Sequence, residues 1–62
     1  MVDKNVKFWY YNYKGNTIVS TGTVIDKIMV KNNTNYLIQH IDIDVLVIRI
    51  VKPDQIMNII NK

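Results

Sequence analysis

The stretch KFWYYNYKGNTI, residues 7–18, decides the reading of this chain. Four aromatic residues stand in a row, Phe8, Trp9, Tyr10 and Tyr11, with Tyr13 close behind and Gly15-Asn16 after it. Aromatic residues favour strands, while Gly and Asn tolerate the positive φ of tight turns. Residues 6–13 therefore read as a first strand and Lys14-Gly15-Asn16-Thr17 as a hairpin turn. Successive side chains of a strand point to opposite faces. Phe8, Tyr10 and Asn12 then share one face, and Lys7, Trp9, Tyr11 and Tyr13 share the other. Val6 extends the first face and makes it the expected core side. The second face is left looking outward.

Working outward, residues 18–31, IVSTGTVIDKIMVK, read as a long second strand with a bulge or sharp bend at Gly22. Such a bend lets one strand serve two sides of a small barrel. Residues 32–35 read as a loop. Residues 36–51, YLIQHIDIDVLVIRIV, exceed an ordinary strand length. They divide at Asp42-Ile43-Asp44 into strands three and four, or run as one bent strand. VLVIRIV is apolar on both faces and broken only by Arg49, so something must cover its second face. The tail KPDQIMNIINK admits two readings: a short amphipathic helix begun by Pro53, or a 3₁₀ turn over Pro53–Ile56 followed by a strand at MNII.

GTVID at 22–26 and VIRIVKPDQIMNII at 47–60 carry a resemblance. Together with the strand order, the chain resembles the SH3-like small β-barrels of the KOW, Tudor and Sm-like type, including phage-encoded variants. The resemblance implies an all-β fold: one domain over residues 1–62, about five antiparallel strands, and a 3₁₀ turn before the last strand. It favours turn plus strand for the tail. The Gly-rich KOW motif and the Sm-like RNA-pocket signature are missing, so no pocket residues carry over from those families.

The composition agrees with a β reading. Ala, Glu and Cys are absent, and Leu occurs only at 37 and 46. Richness in Ile, Asn, Lys and Tyr fits an AT-rich coding sequence of the kind found in low-GC bacteria and their phages. Without cysteine there are neither disulfides nor thiolate metal sites. A chain of this size is marginally stable alone, so oligomerisation is the support that remains. Net charge is +3, enough to allow phosphate binding without demanding it. Residues 1–9 show no signal-peptide pattern and no apolar run approaches about 18 residues, which gives the expectation of a cytoplasmic protein without membrane contact.

Candidate chemistry is sparse. One histidine, one serine and no glutamate leave little for catalysis, so a non-enzymatic binding module without metal or cofactor is expected. Trp9, Tyr11 and Tyr13 with Lys7 form the expected binding face. Bases stack on such rings while lysines meet phosphates. The same rings also suit a protein interface, or the packing of a core or an oligomer. Lys27 and Lys31 share a face of strand two with Met29. Arg49 is placed to pair with an aspartate or reach a phosphate. His40, Asp42 and Asp44 align on one face and read as a solvated face or polar turn. The expected partners are further copies of the chain, with nucleic acid or a nucleotide on the aromatic face. The alternative is a phage-type interaction module or inhibitor that binds a host protein.

Overall fold

The computed structural model describes residues 1–60. Five strands follow one another: β1 (Asn5–Tyr11), β2 (Thr17–Val30), β3 (Asn33–Asp42), β4 (Val45–Val51) and β5 (Ile56–Ile60). A 3₁₀ turn, Pro53–Gln55, stands between β4 and β5. All pairings are antiparallel, in one sheet of order β4-β3-β2-β1-β5. The tail is therefore turn plus strand, not helix. Asp42-Ile43-Asp44 does divide the long apolar run, since Asp42 pairs with Val45 across a tight turn.

The expected barrel does not close. Among the described residues, β4 and β5 remain the two edges of the sheet. The sheet is nevertheless forced to curl. Four inter-strand spacings of about 4.8 Å would separate the edges of a flat sheet by about 19 Å. The path from Val51 to Ile56 includes a 3₁₀ turn of three residues, which rises only about 2 Å per residue, so it reaches roughly 13 Å. Gln55 fastens this short bridge. Its Nε2 donates to the Trp9 carbonyl at 2.9 Å, and its Oε1 accepts from the Lys52 N–H at 3.0 Å. The β5 ladder on β1 stops at Phe8, so Gln55 supplies a partner to a β1 carbonyl beyond it.

β2 does serve two sides. Residues 17–23 pair with β1, and residues 23–30 pair with β3. The irregularity lies at Ile25, between the Val24–Ile38 and Asp26–Leu37 pairs, and not at Gly22. Gly22 has a different duty. A Cβ there would stand 2.6 Å from the Gln39 carbonyl oxygen, 2.7 Å from Ile38 Cγ2 and 2.9 Å from His40 Cβ. Its missing side chain is what lets β3 pass over β2 into the core.

The core fills the concave side. Val6, Phe8, Tyr10, Val24, Ile38 and Val51 are buried, with Ile18, Tyr36 and Ile56 packed against them. Val6, Phe8 and Tyr10 share the face expected from alternation. Tight turns set the register of the remaining strands. Lys31 and Asn32 have φ of 51° and 68°, and Ile43 and Asp44 have 49° and 67°. Such pairs of positive φ match the right-handed twist of hairpins.

Gly22→Ala is expected to cost about 2 kcal/mol or more, because the added methyl meets backbone that cannot step aside. Gly15 also has positive φ but nothing within 4 Å of an added Cβ. Gly15→Asn should therefore be close to neutral, as Asn tolerates this conformation. Urea denaturation of the two variants measures the contrast.

Candidate binding surface

On the convex side of β1, Trp9 and Tyr11 meet edge to face, with ring centroids 5.4 Å apart and planes at 78°. Cross-strand partners put Val19 beside Trp9 and Thr17 beside Tyr11. Together with Met57 of β5 these residues line an open depression of 340 Å³. Lys7 is exposed two residues before Trp9, between Thr21 and Asn58. The segments that build this side, residues 5–11, 17–23 and 56–60, contain one cation, Lys7, and no carboxylate.

Of the other residues expected at the site, Tyr13 and Arg49 line a separate depression of 490 Å³ that Tyr11 also borders, and Lys27 and Lys31 lie elsewhere. β1 ends at Tyr11, and Tyr13 is in the following turn, 88% exposed, with Lys14 Nζ 5.7 Å from its ring centroid. Asn12 causes the early ending. Its Oδ1 accepts from the N–H groups of Lys14 and Asn16, both at 2.9 Å, and rolls the chain into a turn before alternation reaches Tyr13. Lys27 lies beyond the bulge, paired with Tyr36. Lys31 is not in β2 but in the positive-φ turn after it, bordering an open depression of 740 Å³ with Val30, Asn33, Ile50, Lys52 and Pro53. Neither lysine accompanies the Trp9–Tyr11 pair.

Arg49 points into the concave side. Its guanidinium carbon stands 3.8 Å from the Tyr10 ring centroid. Nε donates to His40 Nε2 at 3.0 Å, and Nη2 donates to Asp42 Oδ2 at 3.1 Å. The Tyr10 hydroxyl makes a long 3.5 Å contact to Asp42 Oδ1. His40 is 3% exposed, with Phe8 edge-on at 5.0 Å and Ser20 Oγ 3.4 Å from Nδ1. Of the solvated face or polar turn expected over His40, Asp42 and Asp44, the structure has the turn, at Ile43-Asp44, and not the solvated face. His40 is buried, Asp42 is half-buried in an ion pair, and Asp44 sits in a turn. Among the described residues no three His, Cys, Asp or Glu side chains gather as a metal site would require.

Sequence reasoning placed Arg49 to pair with an aspartate, which Asp42 is, but missed the burial of His40 in the same cluster. The available signal was Arg49 in an apolar strand with His40 and Asp42 two residues apart. Only the Ile38–Arg49 and His40–Val47 pairing brings them together. The geometry also settles the proton on His40. Nε2 accepts from Arg49, so the ring is neutral with its hydrogen on Nδ1. Burial lowers its pKa below 6.5, and the Arg49 charge lowers it further, against a backbone hydrogen bond at Ile41 and the charge of Asp42.

Comparison with protein-family models, curated proteins and solved structures finds no significant match. No helix among the described residues is long and apolar enough to cross a membrane.

A histidine whose folded pKa is depressed contributes stability above its unfolded pKa of about 6.5, and this is lost as pH falls toward the folded value. The unfolded chain binds the proton first, so the urea midpoint of the wild type should fall between neutral pH and about pH 5. His40→Gln keeps an acceptor for Arg49 and should flatten that slope. An unchanged slope would mean that His40 takes its proton inside the fold.

Proposed function

We propose that this chain is a small non-enzymatic binding module of the SH3-like type, which stacks a base of a nucleotide or single-stranded nucleic acid on Trp9 and Tyr11. The strand order β4-β3-β2-β1-β5, with a 3₁₀ turn between the two edge strands, supports the SH3-like reading. The observation that carries the ligand reading is the Trp9–Tyr11 pair over a depression of 340 Å³, with Lys7 on the same side and no carboxylate in the contributing segments. A volume of that order admits a single planar base, and a face without carboxylates does not repel its phosphate. Lys7 is the one cation in these strands, so few phosphates are engaged and most affinity comes from the rings.

The same scarcity of cations favours a second reading, a protein partner that buries the Trp9–Tyr11 pair as the centre of its interface. Salt distinguishes the two. Trp9 is the only tryptophan, so its fluorescence reports on this face alone. Titration with mixed-sequence single-stranded RNA and DNA should give saturable quenching. The affinity should fall with salt at a logarithmic slope of about −0.7 for each phosphate contacted. Tyr11→Ala should weaken binding by roughly 5-fold to 100-fold, the range for loss of one stacking ring. Absence of quenching at low salt would overturn the nucleic-acid reading and leave the protein partner.

A further inference from the structure

Among the described residues, nothing covers the convex side of β3 and β4. Ile41, Leu46, Ile48 and Ile50 are each 57–60% exposed there. Cross-strand pairing groups them, Ile41 with Leu46, Gln39 with Ile48 and Leu37 with Ile50. The apolar side chains of the strip are uncharged and Arg49 points to the concave side, while Asp26, paired with Leu37, and Lys31 and Lys52, beside Ile50, stand at its margin with both signs. The strip ends at Ile43, which is 85% exposed and has a φ of 49°. A β-branched residue rarely adopts positive φ. Backbone preference and water would both place Asn or Gly there. An isoleucine held against both preferences has its use outside the monomer.

We infer that this strip is the interface of a homodimer, in which the convex faces of β3 and β4 from two copies pack against each other. Three observations select a second copy as the occupant. Six hydrophobic residues are buried among the described residues, against sixteen large ones exposed. A core that small leaves the lone chain marginally stable, and a second copy is the partner always present in equal amount. The strip is uncharged, so it is complementary to itself across a two-fold axis, where a charged face would meet its own sign. The area also suffices. Ile41, Ile43, Leu46, Ile48 and Ile50 together offer about 600 Å² per copy, so a pair that covers them fully buries about 1,200 Å², the low end for a specific interface.

The test is sedimentation equilibrium of the full chain from low micromolar to millimolar concentration. The expected mass at the upper end is twice the 7.3 kDa of the chain. Thermal unfolding should shift to higher temperature with concentration, as it does when association is coupled to folding. Ile48→Lys places a charge at the centre of the strip and should raise the dimer dissociation constant by roughly 100-fold or more. Should that variant fail to fold, Ile43→Asn serves instead. It relieves the strained turn, so it keeps the monomer folded while weakening the dimer by several-fold. A wild type that remains monomeric throughout, including one that instead captures a different protein, overturns the inference. So does a dimer indifferent to both substitutions, or assembly that continues past two copies.

Discussion

Residues 52–55 carry the chain from one edge of a five-stranded sheet to the other, a span they can cover only if the sheet curls. The curl creates an inside, where Val6, Phe8, Tyr10, Val24, Ile38 and Val51 meet from four different strands. It also sets the demands on β2, which must leave β1 and take up β3 within fourteen residues. The extra residue at Ile25 supplies the change of direction, and the bare backbone of Gly22 supplies the clearance. Gln55 holds the bridge shut by bonding to both Lys52 and Trp9.

Curling has a cost in so small a chain. A concave face this narrow accommodates few side chains, so much of the apolar content is left on the convex side. It falls there in two different characters. Around β1 it is aromatic, with one lysine, threonines and asparagines nearby, which suits a ligand that stacks. Around β3 and β4 it is aliphatic and uncharged, which suits a flat apolar partner. The bent β2 runs between the two, so a copy docked on the aliphatic strip leaves Trp9 open to a ligand.

The concave side is not purely apolar. Arg49, His40 and Asp42 form a hydrogen-bonded row, with the guanidinium on the face of Tyr10. The half-buried Arg49–Asp42 ion pair adds little energy by itself. Its value lies in satisfying polar groups where β1, β3 and β4 approach, since an unpaired one there would be costly. The row also specifies register. A shift of β4 by one residue would turn Arg49 out and bring Ile48 or Ile50 against His40.

Local chemistry was legible in the sequence wherever neighbouring residues decide the outcome. Alternation in Val6-Lys7-Phe8-Trp9-Tyr10-Tyr11 settled which face of β1 is core, because each strand residue points opposite to the last. Pro53-Asp54-Gln55 admitted a helix or a 3₁₀ turn, and Asp42-Ile43-Asp44 a division or one bent strand; the structure has the 3₁₀ turn and the division. Tyr13 and Lys31 were misplaced because side-chain capture by Asn12 and a two-residue turn at Lys31-Asn32 ended strands that propensity alone would have continued. The burial of His40 and the inward turn of Arg49 could not be read locally at all. They depend on β3 lying beside β4 in one register and on a sheet curled far enough to bring Arg49 to Tyr10. Period and turn chemistry act over a few residues and belong to the sequence. Which polar groups are enclosed together depends on curvature and strand order, and only the tertiary structure decides that.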